Sequence, residues 1–426
     1  MKHKRVFIFF SSILLITIIY YAAVSFSRLV PAPVSTATDI QQDSHHHATP
    51  QPSVNSSDLN TTDATPKPTS TVQKDLQQQQ PAQEQMKQLV EEQLAQLTLE
   101  QKIGQLLILG IEDQASTVTA ETTQLIAEQG IGNIILFKRN IASEQQLQML
   151  ISELKKLPSN NIPLWITIDQ EGGKVNRLPE QYPSAEELAE LNDTAITEAS
   201  ADLMGSALAQ LNIDMDFAPV LDINSNANNP VIGSRAFGDN AQSVVTHSTA
   251  MLDGLGKHVI TVGKHFPGHG DTNIDSHIAL PTIEKSWDEL EQLELIPFRS
   301  AIENNIDAIM VGHLFIPKLD DTYPASLSET IISYYLREVL DFDGLVITDD
   351  LIMGGITEQF ELEEAAVRAL QAGNTMLIIG HQPEQQQFVR DRLIDAVQQG
   401  ILDEALIDDR VRLVLLMKLN KQEFLQ

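Results

Sequence analysis

From Met86 to the C-terminus, short apolar runs alternate with longer stretches in which apolar residues recur at helical spacing. Alternating strands and helices of this kind form βα units, whose strands lie side by side in a parallel sheet. About eight units in about 340 residues predict a single (β/α)8 barrel, with a doubly wound open sheet as the alternative. The apolar runs are Leu106–Ile111, Ile131–Phe137, Leu164–Ile168, Met215–Leu221, Val259–Val262, Ala308–Val311, Leu345–Thr348 and Met376–Ile379.

Helix starts and the C-terminal tail fit the same pattern. Thr98 and Gln101 have the spacing of a capping box, in which each side chain bonds the backbone N–H of the other residue. Ser286 and Glu289 repeat that spacing before a later helix. The tail after the eighth run has the length of two terminal helices, so residues 86–426 are predicted to form one domain.

The N-terminus has a different pattern. Lys2, Lys4 and Arg5 precede an apolar run, Val6–Val24, that is about long enough to cross a bilayer as a helix. Because a basic flank stays on the cytoplasmic side, the chain after this run is expected to be exported. Residues 1–30 are therefore predicted to be a membrane anchor, which the length of the run favours, or a cleaved signal peptide.

Residues 31–85 contain no Gly and no aromatic residue, and they are rich in Pro, Thr, Ser, Asp and Gln. Such a stretch cannot bury enough apolar surface to offset the entropy of ordering it. It is predicted to be a disordered linker between the N-terminal segment and the globular domain.

Composition narrows the classes of function. The chain has no Cys, which excludes disulfides and thiolate metal sites. Its formal net charge of −30 argues against a nucleic-acid partner, because basic patches supply most of the affinity for nucleic acid. The acidic balance suits a soluble, exported or salt-tolerant protein without choosing among these.

The richest cluster of ionisable residues is the segment Lys264–His277, which holds three His, two Asp and one Lys. It follows the β-branched run Val259–Val262, and its Pro-Gly and Gly residues let the chain turn back tightly. A buried strand does not end in six ionisable groups for packing reasons, because each group would need a partner. The loop is therefore predicted to be a chemical site.

Polar residues also follow other predicted strands. In a (β/α)8 barrel the carboxyl ends of all strands meet on one face, where active sites form. The residues at these ends are therefore predicted to converge. They are Asp169 and Glu171 after the third strand, Arg235 after the fourth, Lys264 and His265 at the end of the fifth, His313 at the end of the sixth and Asp349 at the end of the seventh.

Two pairs offer acid–base and nucleophilic chemistry. Asp275 and His277 are two positions apart, so in an extended loop the carboxylate would face and bond the imidazole. Such a partner fixes the imidazole tautomer and stabilises its charged form, which suits general acid–base work near neutral pH. In the seventh strand, alternation lets only one of Asp349 and Asp350 face the site, and the residues alone leave open which one does.

The motif that begins at Lys264, KHFPGHGDTxxDSHxxLP, resembles the signature of glycoside hydrolase family 3, in its β-N-acetylhexosaminidase branch. Further motifs extend the resemblance over about residues 90 to 415. It implies a (β/α)8 barrel that removes non-reducing terminal N-acetylglucosamine with retention and without a cofactor. Together with the predicted export, it points to peptidoglycan fragments, or muropeptides, as substrates of a monomeric, membrane-tethered enzyme.

The resemblance also implies a role for individual residues. It makes Asp349 the nucleophile and the Asp275–His277 dyad the acid–base group. Asp350 is then expected to be a structural acceptor. Sugar binding is implied for Asp169, Arg235, Lys264 and His265, with His313 close by, while His269 and Asp271 are expected to shape the loop.

Three other functions fit parts of the pattern. A His donor lacks the carboxylate charge that would repel phosphate, so a phosphorylase could use the same site. A metal-dependent hydrolase could bind zinc through His265, His269, Asp271, Asp275, His277 and His313. Against this, His265 and His269 lie in a Pro-Gly loop and not on one helical face. A non-catalytic wall-binding protein is the third, and the complete set of Asp349 and His277 argues against it.

Overall fold

The computed structural model of this chain describes residues 84–114, 117–158 and 160–424. Eight parallel strands close into a barrel in which each strand pairs with its neighbours in chain order and β8 pairs with β1. The (β/α)8 prediction is confirmed, and the open sheet is excluded because the first and last strands are bonded to each other. The strands are β1 (Leu107–Gly110), β2 (Asn133–Leu136), β3 (Trp165–Ile168), β4 (Met215–Asp216), β5 (Ile260–Phe266), β6 (Ala308–Val311), β7 (Leu345–Asp350) and β8 (Met376–Ile379).

The bounds of β4 and β5 differ from the predicted apolar runs, because backbone pairing does not follow side-chain polarity there. β4 ends at Asp216, whereas the predicted run continued to Leu221. Pro219 lies between these two residues, and it has no N–H to donate to a neighbouring strand. β5 continues to Phe266, although its apolar run ends at Val262. Backbone hydrogen bonds do not depend on side-chain polarity, so the strand itself carries polar residues to the rim of the barrel.

Helices cover the outside of the barrel. Both predicted capping boxes are present, and the two predicted terminal helices are α12 and α13. Shorter 3-10 turns lie at Lys138–Asn140, Gly233–Arg235 and Ala325–Leu327, and π-helical segments at Gln124–Glu128 and Thr330–Val339. The α-helices are α1 (84–94), α2 (Leu99–Leu106), α3 (Ala120–Thr123), α4 (Glu144–Leu154), α5 (Ala185–Glu190), α6 (Thr194–Gln210), α7 (Ala241–Leu255), α8 (Trp287–Glu291), α9 (Ile296–Glu303), α10 (Gly354–Thr357), α11 (Leu362–Ala372), α12 (Pro383–Gln398) and α13 (Glu404–Phe424).

The core is the strand wall and the helix faces that pack on it. Every residue of β1 to β6 and of β8 is buried, as expected for parallel strands covered on both sides. Only β7 ends in two half-buried residues, Asp349 and Asp350. The polar positions at the strand ends therefore stand on a rigid, apolar base.

The predicted N-terminal segment, residues 1–30, and nearly all of the predicted linker lie outside the described residues. Residues 84 and 85, which the prediction assigned to the linker, belong to α1. Among the helices that the structure describes, none is both long and apolar enough to span a bilayer.

Candidate active site

A cavity of about 330 Å³ opens at the carboxyl ends of the strands. Its wall is formed mainly by residues at or after the ends of β3, β4, β5 and β7, as the topology requires. Six of the eight predicted site residues line it: Asp169, Arg235, Lys264, His265, His277 and Asp349. The other two do not: Asp275 bonds the lining residue His277 from behind it, and His313 lies outside the lining.

A network of charged side chains lies on one side of the cavity. Glu171 accepts two hydrogen bonds from Arg235, 2.8 Å from Nε and 2.7 Å from Nη2. Lys264 Nζ lies 2.6 Å from Glu171 Oε1 and donates to Asp169 Oδ1 at 2.8 Å. Burial alone would raise the pKa of Glu171, but Arg235 and Lys264 hold that pKa well below its usual range. The network therefore presents charged, fixed groups to a ligand.

The same carboxylates keep Lys264 charged. Burial works to lower the pKa of its ammonium, yet Asp169 and Glu171 raise that pKa above its ordinary value. Only 1% of the Lys264 side chain is exposed, so the ammonium depends on these partners. Asp169 and Lys264 can thus accept from and donate to neighbouring hydroxyl groups of a sugar.

His265 is oriented by a residue to which the sequence prediction gave no role. Asp222 is fully buried and accepts from His265 Nδ1 at 2.7 Å and from the backbone N–H of His269 at 2.6 Å. With Nδ1–H bound to Asp222, the other nitrogen of His265 remains at the cavity, 3.4 Å from Arg235 Nη2. Burial would raise the pKa of Asp222, but His265 lowers it below the ordinary value.

Asp275 and His277 form the predicted pair, although not by the predicted geometry. Asp275 Oδ1 accepts from His277 Nδ1 at 2.7 Å and from its backbone N–H at 2.8 Å. The loop is not extended here: the backbone N–H of Ile278 bonds the carbonyl of Asp275, which closes a turn. An Asx turn, and not strand-like alternation, brings the carboxylate to the ring.

The His277 ring is ready for proton transfer. Its side chain is 64% exposed, and the bond from Nδ1 to Asp275 leaves Nε2 without a described protein partner. Burial would raise the pKa of Asp275, but the hydrogen bonds and charge of His277 lower that pKa. A carboxylate that stays ionised stabilises the charged imidazole beside it.

Both acidic residues at the end of β7 line the cavity, which corrects the expectation that only one could. The pairing of β7 with β8 shifts register between Ile347 and Asp350, so simple alternation does not continue to the strand end. Asp350 accepts from the backbone N–H groups of Gly380 at 3.0 Å and Ile352 at 3.3 Å. It therefore acts as a structural acceptor while still facing the cavity.

The pKa values of Asp349 and Asp350 shift in opposite directions. Burial would raise the pKa of Asp349, but His313 and His265 hold it below the ordinary value. Burial raises the pKa of Asp350 to about 6. At neutral pH Asp349 is thus the more firmly ionised carboxylate, as a nucleophile must be.

His313 lies behind the wall of the cavity. It is fully buried, with Nδ1 2.8 Å from Ser326 Oγ and Nε2 donating to the carbonyl of Asp350 at 3.0 Å. Burial lowers the pKa of His313. Its two nitrogens are occupied by protein groups, so it supports the end of β7 and does not project into the site.

His269 and Asp271 are both tied into the loop. His269 is buried between Ser276 Oγ, 3.0 Å from Nε2, and Thr272 Oγ1, 2.9 Å from Nδ1. Burial lowers the pKa of His269 to about 4, so the ring is neutral. Asp271 pairs with Lys285 at 2.6 Å. Across the described parts of the chain, no group of three or more His, Cys, Asp or Glu side chains is arranged to hold a metal ion.

Sequence reasoning gave no role to several residues of this site. Glu171 follows β3, and the sequence predicted its position but no role for it. Arg177 also lines the cavity, with Nη2 3.8 Å from Asp169 Oδ2. His381 follows β8 and stacks on Phe137 with ring centroids 4.6 Å apart. Asp222 follows the fourth apolar run directly, so the rule that singled out the other strand-end residues also reaches it.

The chain matches the model of the glycosyl hydrolase family 3 N terminal domain over residues 98–417. It is 36% identical over 279 residues to a β-hexosaminidase of Idiomarina loihiensis, across 64% of this chain and 83% of that protein. A glycoside hydrolase family 3 β-N-acetylglucosaminidase from Paenibacillus sp. superposes with a TM-score of 0.74 and 39% identity, over 78% of this chain and 64% of that one. A β-N-acetylhexosaminidase from Beutenbergia cavernae superposes with a TM-score of 0.69 and 29% identity, over 76% and 99%.

Proposed function

The chain belongs to glycosyl hydrolase family 3, and from that membership we propose that it is a retaining exo-β-N-acetylglucosaminidase. The observation that carries the proposal is the pairing of an ionised carboxylate with a carboxylate-backed imidazole on one cavity. Asp349 supplies the first and His277, bonded to Asp275, supplies the second. A nucleophile and a proton donor are the two groups that retaining glycosidases need.

In the first step, a carboxylate oxygen of Asp349 attacks the anomeric carbon as the bond to the leaving oxygen breaks. Protonated His277 gives the proton on Nε2 to that oxygen, and Asp275 stabilises the charge of the ring before transfer. In the second step, neutral His277 takes a proton from water, and the water oxygen displaces Asp349 from the sugar. Two inversions at the anomeric carbon give net retention.

The charged network is the proposed sugar subsite. Asp169 is proposed to accept bonds from ring hydroxyls, while Lys264, Arg235 and His265 donate to hydroxyl or acetamide oxygens. Because these groups are buried and preoriented, a sugar that left them unpaired would bind poorly. The site is therefore expected to discriminate strongly in favour of N-acetylglucosamine over glucose.

Peptidoglycan fragments are the proposed natural substrates, and the cell exterior is the proposed location. The support is the basic cluster Lys2, Lys4 and Arg5 before the apolar run Val6–Val24, which favours export of the domain. A linker of about 55 residues has an r.m.s. span of roughly 40 Å, so the domain would reach glycan ends near the membrane. Protease added to intact, wall-stripped cells should release active domain; a protected domain would contradict this location.

The proposed activity is tested with matched aryl glycosides of N-acetylglucosamine and of glucose, which share a leaving group. We expect turnover of the N-acetylglucosaminide with the glucoside at least about a hundredfold slower, since unpaired buried polar groups cost 10²-fold or more. The same assay run with inorganic phosphate distinguishes hydrolysis from phosphorolysis. Free N-acetylglucosamine supports the proposal, whereas accumulation of the sugar 1-phosphate would replace it with a phosphorylase.

A further inference from the structure

The loop over residues 271–281, which carries His277, is hydrogen-bonded at its middle to the backbone of Gly354 and Gly355, shortly after Asp349 in the chain. The N–H of Gly354 donates to the carbonyl of His277 at 3.2 Å, and the N–H of Gly355 donates to the carbonyl of Ser276 at 3.0 Å. The first N–H groups of a helix have no acceptor within that helix. α10 begins at Gly354, and Met353 before it supplies no side-chain cap. The carbonyl groups of the loop therefore serve as the acceptors for the first N–H groups of α10.

Both positions require a very close approach of the two segments. A Cβ on Gly354 would lie 2.6 Å from the carbonyl oxygen of Ile278 and 2.8 Å from that of His277. A Cβ on Gly355 would lie 3.0 Å from the carbonyl oxygen of Ser276. Neither glycine has a positive φ, so backbone freedom is not the reason for glycine here. The absence of a side chain is what lets the segments touch.

The two ends of the loop are held elsewhere. Near its start, Asp271 pairs with Lys285 at 2.6 Å. At its end, the N–H of Phe315 donates to the carbonyl of Pro281 at 2.8 Å. Between these anchors the ring of His277 is exposed and bonds only Asp275, a residue of the same loop. The backbone contacts to Gly354 and Gly355, together with the bond between Ser276 Oγ and His269, therefore set where the ring lies.

These contacts also tie the ring to the nucleophile. Gly354 is five residues after Asp349, and between them the N–H of Leu351 bonds the carbonyl of Ile378 while that of Met353 bonds the carbonyl of Asp350. The segment after the nucleophile is thus fixed to the strand wall. While these bonds are formed, the position of the loop is set relative to Asp349.

We infer that Gly354 and Gly355 are positioning residues that hold the proton donor at its working distance from the nucleophile. The inference rests on the proposed function, in which His277 is that donor. General acid catalysis needs the donor within hydrogen-bond reach of the leaving oxygen, and a displacement of about 1 Å costs on the order of 10²-fold. A side chain at Gly354 would push the loop outward by about this amount.

The kinetic test compares Gly354→Ala and Gly355→Ala with Gly256→Ala. Gly256 directly follows α7, and a Cβ there would lie 2.8 Å from the carbonyl oxygen of Leu252, so the control has a similar clash away from the cavity. Each variant is assayed on an aryl N-acetylglucosaminide with a strongly acidic phenol and on an N-acetylglucosamine disaccharide. Only the disaccharide has a leaving group that needs protonation.

For Gly354→Ala we expect kcat/KM on the disaccharide to fall about 10- to 100-fold and on the acidic aryl substrate by less than about threefold. Gly355→Ala should also lower kcat/KM more on the disaccharide than on the aryl substrate, but by a smaller factor. The reason is that its Cβ would lie 3.0 Å from the nearest carbonyl oxygen, compared with 2.6 Å at Gly354. Gly256→Ala should change kcat/KM only slightly, and by the same factor on both substrates. Equal losses on both substrates for Gly354→Ala and Gly355→Ala would overturn the inference.

A second measurement separates this inference from the proposed function. Hydrogen–deuterium exchange follows the peptide over residues 271–281, which contains the loop, without any substrate. Gly354→Ala should raise its exchange rate and Gly256→Ala should not. If the wild type cleaves no N-acetylglucosaminide but the loop loosens only in Gly354→Ala, the proposed function fails and the positioning contact stands. Unchanged exchange in Gly354→Ala would refute the contact whatever the activity.

Discussion

Replacement of Glu171 by Gln tests how much of the fold depends on the charged network of the site. The substitution keeps the size of the side chain and removes one negative charge that faces Arg235 and Lys264. All three side chains are largely buried, with 6%, 12% and 1% of their surface exposed. Water therefore cannot take over the lost interactions: Arg235 loses the carboxylate that it bonds, and Lys264 keeps only its bond to Asp169.

The magnitude follows from burial. Removing one partner of a buried ion pair costs about 3–5 kcal/mol, whereas an exposed pair contributes about 0–1 kcal/mol. Glu364 offers a matched control, because it also takes two hydrogen bonds from one arginine, Arg392, but is 58% exposed. Glu171→Gln should thus lower the free energy of unfolding by about 3–5 kcal/mol and Glu364→Gln by less than about 1 kcal/mol.

The assay is urea unfolding of both variants and the wild type, followed by fluorescence at several pH values. The pKa of Glu171 is lower in the folded chain than in the unfolded chain, so its contribution is complete above the unfolded value of about 4.3 and is lost as pH falls toward the folded pKa. The difference between wild type and Glu171→Gln should hold from pH 6 to 8, roughly, and shrink below about pH 4. Equal, small effects of both substitutions at pH 7 would refute this reasoning.

Other predictions concern the reacting groups. Asp349→Asn should lower kcat by several orders of magnitude in steady-state assays, because it removes the carboxylate that forms the glycosyl-enzyme. Asp350→Asn should retain most activity, since an amide oxygen can still accept its two backbone bonds, and the reverse outcome would exchange their roles. His277→Ala should slow a disaccharide by roughly 10²–10⁴-fold and an aryl glycoside with an acidic phenol far less. Asp275→Ala should repeat that split more mildly, and equal losses on both substrates would count against the dyad. Prolonged EDTA treatment should leave activity intact; a loss that zinc restores would favour the metal-dependent hydrolase.

The sequence predicted the fold and much of the site because both follow from local order. Eight apolar runs separated by helical stretches favour a (β/α)8 barrel, although only the pairing of β1 with β8 shows that the sheet closes. The barrel brings all strand ends to one face. The pairing of Asp275 with His277 was also local, so a spacing of two residues predicted it, although a turn and not an extended loop makes the contact.

Only the tertiary structure decided which polar residues bond one another. Glu171 meets Arg235 across 64 positions, and Asp222 meets His265 across 43, so no local period links either pair. Asp349 and Asp350 both face the cavity at a register shift between β7 and β8, and the order of residues in one strand does not reveal such a shift. Side-chain alternation and apolar runs specify a helix or strand and its buried face. Contacts between different helices, strands and loops depend on how far each strand is shifted along its neighbours in the closed barrel.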